Sequence, residues 1–166
     1  MNLSLIQANE DDVPIIVKIA NETAQHLTSL YGKGHWSFQC TETNVRYGMR
    51  GKSKLLVAKN DDAIIGSLNL VTKKPWAIEV IYFTKVVQPL YLIGMAVHPA
   101  WQRKGIGTFM LQELKTFVIA WPAQAVRLDA YDGAVGAGEF YRKCGYTERG
   151  HVIYKNNPLI YFEMLF

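Results

Sequence analysis

Residues 102–107, QRKGIG, have the composition and setting of a phosphate-binding loop. They follow an apolar, β-rich run and lead directly into a pattern of apolar residues at helical spacing. The glycines at 105 and 107 allow a ligand to approach the backbone closely. At a junction of this kind the free N–H groups of residues 103–108 converge, and the helix N-terminus adds about half a positive charge. The segment therefore predicts a cradle for a diphosphate, in which a side chain at Gly107 would clash with the ligand.

Two better-known kinds of phosphate loop fit this segment less well. It lacks the Gly-Lys-Ser/Thr ending of a nucleoside triphosphatase loop and the third glycine of a dinucleotide fingerprint. The remaining alternative is a tight turn into a helix with no ligand, and the strand-loop-helix context makes that the weaker interpretation.

Titratable residues elsewhere give weaker signals. Cys144 has no histidine near it in sequence, so we do not expect a cysteine nucleophile, and His98 before a proline is more typical of a solvated turn. Glu79 and Asp129 would suit a cationic amine only if they were buried, and exposed acids are commoner. The aromatic side chains in the less regular segments fit core or loop packing better than a pocket; these are Trp36, Trp76, Tyr82 and Phe83.

The elements that position these residues follow from hydrophobic periodicity and turn residues. A strand at Leu3 and Leu5 leads through the candidate cap residues Asp11 and Asp12 into a helix that ends at Gly32. The later predictions are a short helix over 43–49, which would form part of a substrate lid, a hairpin of 54–59 with 63–71, a strand over 90–97, a helix from 106 to 121, a strand over 126–130, a helix near 135–144, and strands over 151–154 and 159–166. Residues 73–89 show no clear period. This order predicts an α/β (α+β) three-layer fold, with a mixed, mostly antiparallel twisted sheet flanked by helices.

Length and composition narrow the class of protein. A chain of 166 residues predicts one domain, 1–166, and 49% hydrophobic with 19% charged residues predicts a folded protein. We find no signal peptide and no apolar run of roughly 18 residues, so we expect a cytoplasmic protein with no membrane partner. Cys40 and Cys144 predict free thiols and no metal site. The net charge of +4 comes from scattered residues, so a nucleic acid partner is not expected.

Two segments together, MAVHPAWQRKGIG and EFYRKCGY, resemble the signature motifs of the GNAT superfamily of acyl-CoA N-acyltransferases, and the element order matches over nearly the whole chain. The resemblance implies transfer of an acetyl group from acetyl-CoA to a primary amine of a small molecule or peptide, with no metal. It implies that the backbone and side chains of the following residues bind the cofactor: Met95, Ala96, Val97, Gln102, Arg103, Lys104, Gly105, Ile106, Gly107 and Thr108. It also implies that Tyr141 protonates the departing thiolate.

Two positions depart from the family pattern. Many relatives have an asparagine where this chain has Ala134, and some have an acidic residue where this chain has Gly94. No general base is therefore assigned by resemblance, and a coenzyme A-binding module without activity is the alternative. The acceptor amine, the acyl preference and the oligomeric state, including a homodimer, stay open.

Overall fold

The structure is a computed structural model that describes every residue from Met1 to Phe166. The strands are β1 (Leu3–Gln7), β2 (Ser53–Asn60), β3 (Ala63–Val71), β4 (Pro89–Val97), β5 (Ala125–Tyr131), β6 (Thr147–Tyr154) and β7 (Asn157–Leu165). The helices are α1 (Val13–Tyr31), α2 (Glu42–Gly48), α3 (Ile106–Ala120) and α4 (Gly138–Lys143). Short 3-10 turns occupy Glu10–Asp12, His35–Ser37, Val80–Tyr82 and Pro99–Trp101.

The seven strands form one sheet in the order β1-β2-β3-β4-β5-β7-β6. The β1–β2, β5–β7 and β6–β7 pairs are antiparallel, whereas β4 and β5 are parallel. The register of β4 with β5 has three residue pairs and ends at Tyr91↔Arg127. The predicted class, a mixed and mostly antiparallel sheet with flanking helices, is confirmed.

Two compact units make up the chain, residues 1–70 with 93–114 and residues 71–92 with 115–166. The boundary falls within β4 after Leu92 and within α3 after Leu114. Each unit has a core of its own, and the expectation of a single domain over 1–166 stays a prediction.

The first unit has its core between α1, α2 and the β2–β3 hairpin. The apolar positions of α1 recur at helical spacing, so one face of the helix is buried. In β2 all four residues from Leu55 to Ala58 are buried, which is typical of a strand covered on both faces. At Gly66 of β3 a β-carbon would lie 3.0 Å from the Ala96 carbonyl oxygen and 3.0 Å from the Met110 sulfur. Glycine therefore allows α3 to pack closely on this strand.

The second unit has a mostly aromatic core made of Phe83, Tyr91 and Tyr161 together with Ile78. The Tyr161 hydroxyl accepts from the Glu79 N–H at 3.2 Å and donates to the Ala77 carbonyl. These contacts explain why residues 73–89 show no period in sequence. They form an ordered loop held by a side chain from β7, with one 3-10 turn at Val80–Tyr82.

A buried ion pair fixes the end of the same loop. Arg127 Nε donates to Glu163 Oε2 at 3.0 Å, and the two side chains are 5% and 2% exposed. Arg127 also donates to the Thr84 carbonyl at 2.6 Å, and the Thr84 N–H donates to Glu163 at 3.1 Å. Every charge in the group is thus hydrogen-bonded, as burial requires.

Most predicted elements are confirmed within one to four residues, and two details were wrong. The last short helix begins at Gly138 rather than near Val135, because a turn occupies 132–137. In that turn a β-carbon at Gly136 would lie 1.7 Å from the Tyr131 carbonyl oxygen, so the chain folds back on β5 before it can start a helix.

The cap ahead of α1 is the second correction. Asn9, rather than Asp11 or Asp12, supplies the capping oxygen, since Asn9 Oδ1 accepts from the Asp11 N–H at 2.8 Å. Asp12 completes the box by accepting from the Asn9 N–H at 2.9 Å. A 3-10 turn thus precedes the α-helix.

Cys40 and Cys144 are free thiols, as predicted. No group of three or more histidine, cysteine, aspartate or glutamate side chains is arranged to hold a metal ion. None of the helices combines the length and apolarity that spanning a bilayer needs.

Candidate active site

The loop between β4 and α3 has an unusual backbone conformation. Arg103 has φ 63° and Gly105 has φ 81°, so two residues separated by one position are left-handed. Residues 103–105 are exposed. The Phe109 N–H donates to the Gly105 carbonyl at 2.9 Å, which places the N–H groups of Ile106 and Gly107 ahead of the first helical hydrogen bond. Alternation of this kind at a helix N-terminus is the geometry of an anion-binding nest.

The left-handed conformation of Arg103 is a further indication of function. A residue with a β-carbon is destabilised there by about 1–2 kcal/mol, whereas glycine is not. Such strain persists where the surrounding structure imposes it, and it is commonest at ligand sites. The strain at Arg103 therefore supports a role for the loop beyond joining two elements.

The Gln102 side chain reaches back across the loop. Its Nε2 donates to the Val97 carbonyl oxygen at 2.9 Å, so it links the loop to the last residue of β4. Beside it, Lys104 Nζ lies 5.2 Å from the Trp101 ring centre, a cation–π contact. Both side chains hold the loop in shape, which sequence reasoning did not anticipate for Gln102.

The end of β4 is only partly covered by protein. Gly94 is exposed with φ 60°, and Met95, Ala96 and Val97 are half-buried. An acidic side chain at 94 would be strained in this backbone, which gives a physical reason for the departure noted in the sequence.

The amide groups at the end of β4 alternate in direction. The His98 N–H donates to the Ile65 carbonyl of β3 at 2.9 Å. Because successive amides along a strand face opposite edges, the Val97 N–H points away from β3.

His98 is engaged on both ring nitrogens. Nδ1 accepts from the Ala100 N–H at 3.1 Å, so Nε2 carries the proton and faces Glu22 Oε2 at 2.7 Å. Both ring nitrogens are therefore engaged by groups of the protein itself. The expectation that His98 is not a catalytic base stays a prediction.

Tyr141, in the second unit, lies within an aromatic cluster. Its side chain is 8% exposed, and its ring centre lies 5.1, 5.8 and 5.7 Å from those of Phe140, Tyr146 and Phe162. Burial, with a smaller contribution from the charge of Asp129, raises the pKa of the Tyr141 phenol well above its usual value. The phenol is thus protonated throughout the physiological pH range.

Asp129 of β5 is the acid with the more unusual surroundings. It is half-buried, and burial raises the pKa of its carboxyl group. It lies opposite Tyr161 in the register of β5 with β7, two positions beyond the last pair of β5 with β4. A half-buried carboxylate with a raised pKa is the kind of group that functional sites collect. Glu79, by contrast, is exposed.

A family model described as an acetyltransferase (GNAT) domain matches residues 51–148, which is more than half of the chain. The chain belongs to the GNAT acetyltransferase family. The matched range includes the β4–α3 loop and Tyr141, the two regions on which the sequence resemblance was based. No curated protein sequence matches this GNAT chain significantly.

Solved structures of GNAT enzymes share the fold at low identity. The PaiA N-acetyltransferase of Thermoplasma acidophilum, in complex with coenzyme A, has a TM-score of 0.74 at 16% identity and covers 100% of both chains. The ribosomal-protein-alanine N-acetyltransferase of Brucella melitensis has a TM-score of 0.74 at 15% identity over 98% of this chain and 99% of its own. An aminoglycoside 6'-N-acetyltransferase complexed with coenzyme A has a TM-score of 0.69 at 15% identity, over 98% and 96%.

The sequence of this GNAT chain did not predict that two residues of α1 contact the end of β4 and His98. Thr23 Oγ1 donates to the Val97 carbonyl at 3.3 Å, and its neighbour Glu22 pairs with His98. Both lie in the middle of α1, more than 70 positions before their partners. Helical periodicity marks which residues of α1 are apolar, but it gives no signal for a contact of this range.

Proposed function

We propose that the protein is an N-acetyltransferase that moves an acetyl group from acetyl-CoA to a primary amine of a small molecule or a peptide. The observation that carries this proposal is the exposed loop with left-handed Arg103 and Gly105 at the N-terminus of α3. Membership of the GNAT family supports it. So do structural neighbours that are complexes with coenzyme A.

The loop suits the diphosphate of coenzyme A. The N–H groups that precede the first hydrogen bond of α3 meet an anion without losing a protein partner, and the helix dipole favours its charge. Arg103 and Lys104 are exposed and add positive charge. In this proposal the cofactor is held by residues 102–108, together with the backbone of Met95, Ala96 and Val97.

Acetyl-CoA supplies an acetyl group activated as a thioester. The Val97 N–H, which points away from β3, would donate to the thioester carbonyl oxygen of acetyl-CoA. A fixed donor of this kind stabilises the negative charge that develops on that oxygen. The acceptor amine is mostly protonated at neutral pH, with a reference pKa near 10.4, and must lose a proton before it attacks. Relay of that proton to solvent through water is sufficient in principle, so no side chain is assigned as the general base.

Tyr141 would serve the leaving sulfur. A buried phenol that stays protonated can donate to the thiolate as the bond to carbon breaks, and the raised pKa keeps the donor available. We expect Tyr141→Phe to lower kcat more than it changes Kd for acetyl-CoA. Wild-type turnover in this variant would instead assign Tyr141 to packing alone.

The test begins with a thermal-shift titration of the protein with acetyl-CoA. A ligand that binds the native state raises Tm as its concentration increases. Release of free thiol is then measured with a panel of amines: polyamines, aminoglycosides and peptides with a free N-terminus. Stabilisation followed by amine-dependent thiol release supports the proposal, and absence of stabilisation at saturating acetyl-CoA refutes it.

A second candidate is a coenzyme A-binding module without activity, which the exposed Ala134 in the 132–137 turn and Gly94 favour. It predicts stabilisation without thiol release for any amine. The two free cysteines are consistent with a reducing compartment such as the cytoplasm, which we propose as the site of action.

A further inference from the structure

Two consecutive residues of α1 contact Val97, the last residue of β4, and His98, which follows it. Thr23 Oγ1 donates to the Val97 carbonyl at 3.3 Å, and Glu22 Oε2 lies 2.7 Å from His98 Nε2. All four residues belong to the first compact unit. Two contacts at successive residues restrain the strand end relative to α1 more than a single hydrogen bond would.

The Val97 carbonyl oxygen accepts two hydrogen bonds from side chains of the protein. A carbonyl oxygen has two lone pairs. One accepts from Gln102 Nε2 at 2.9 Å and the other from Thr23 Oγ1. The oxygen therefore has no capacity for a donor on a ligand, whereas the N–H of the same residue points away from β3. Val97 presents a donor and no acceptor to whatever binds along this edge of β4.

We infer that Thr23 and Glu22 are positioning residues that lock the end of β4, so that Val97 offers only its N–H to the pantetheine arm of the acyl carrier. The inference rests on the proposed function and goes beyond the motif residues, because neither residue lies in the phosphate loop. It specifies the ligand atom: a pantetheine amide or thioester carbonyl, and not an amide N–H, pairs with Val97.

The experiment measures the affinity of full-length variants for coenzyme A and for ADP by calorimetry. Coenzyme A carries the pantetheine arm, whereas ADP has a diphosphate without it. Thr23→Val removes the hydroxyl at nearly constant volume, and Thr23→Ser restores it. The matched control is Thr28→Val, because Thr28 is also a threonine of α1 that donates to a carbonyl, Ala24 at 2.7 Å, and the other partner of its hydroxyl is Ser37 at 2.6 Å rather than a residue of β4.

We expect Thr23→Val to raise Kd for coenzyme A by about 3- to 10-fold, the effect of one hydrogen bond, and to leave Kd for ADP within about twofold. Thr23→Ser should restore the wild-type value, and Thr28→Val should not change it. A second readout is the amide signal of Val97 in a ¹⁵N spectrum. Coenzyme A should shift it strongly in wild type and weakly in Thr23→Val.

Several results would overturn the inference. Equal weakening of coenzyme A and ADP would mean that Thr23 acts on the phosphate loop, and unchanged binding of coenzyme A would mean that the contact has no effect. A Val97 amide that does not respond to coenzyme A would remove the proposed ligand contact. Failure of the wild-type protein to bind coenzyme A would refute the proposed function itself, so the two failures are distinguishable.

Discussion

Gly107→Ala separates the ligand-binding role of the loop from its folding role. Gly107 is the second residue of α3 and, unlike Gly105, does not have a positive φ. An alanine in a helix is more stable than a glycine by up to about 1 kcal/mol, so the free protein should melt at the wild-type temperature or slightly above it. The added methyl group would nevertheless stand where we propose that the diphosphate contacts the backbone.

The expected loss of affinity follows from the hydrogen bonds at stake. Hydrogen bonds to a charged group contribute about 1.5–3 kcal/mol each. If the methyl group costs two of these hydrogen bonds about 1.4 kcal/mol each, affinity falls about 100-fold, because each loss of about 1.4 kcal/mol is a factor of ten. At a concentration of 100 Kd, coenzyme A stabilises wild type by about 2.7 kcal/mol, which raises Tm by about 5–11 °C for a chain of this length. At the same concentration the variant should gain about 1 °C.

The assay is differential scanning fluorimetry with and without coenzyme A, and Gly105→Ala is the contrasting variant. Because Gly105 has φ 81°, alanine there should lower Tm even without ligand, through a cost of about 1–2 kcal/mol. A Gly107→Ala protein that gains as much Tm from coenzyme A as wild type would refute the assignment of the diphosphate to this backbone.

Three further predictions concern the second unit. Glu163→Gln should destabilise the protein by about 3–5 kcal/mol in urea unfolding, because it leaves the Arg127 guanidinium buried without a counter-charge. The double variant Arg127→Met/Glu163→Leu should lose less free energy of unfolding than the single variants Arg127→Met and Glu163→Leu lose together. Asp129→Asn should raise the free energy of unfolding at pH 7, as measured by urea unfolding. The raised pKa of Asp129 means that folding favours its neutral form, so its stabilising effect is present at low pH and is lost as pH rises through the folded-state pKa. His151 bonds Asp132 and Glu148, which raises its pKa, so the stability it contributes is present below pH ~6.5 and is lost as pH rises through its folded-state pKa. An NMR titration should give a pKa above ~6.5, and His151→Gln should remove that part of the pH dependence of Tm.

The sequence was most informative where function and local structure depend on neighbouring residues. The β2–β3 hairpin, the long helix α1 and the loop before α3 were predictable because periodicity and turn residues are local signals. The loop 73–89 was not, because its order comes from Tyr161 and Arg127, which lie far along the chain. The half-burial of Asp129 was not predictable for the same reason, since only the fold reveals it.

The surroundings of Tyr141 limit how it can act in transfer. The thiol of coenzyme A has a pKa near 8.5. The usual phenol pKa near 10 therefore already makes full proton transfer from a tyrosine to the thiolate unfavourable. Burial raises the pKa of Tyr141 further and makes that transfer less favourable. Donation of a hydrogen bond is not opposed in the same way, because it needs a protonated donor and no ionised phenol. We therefore expect Tyr141 to stabilise the departing sulfur by hydrogen bonding, with solvent completing the protonation. A rate that follows ionisation of a phenol would contradict this view, whereas a pH-independent loss of kcat in Tyr141→Phe would support it.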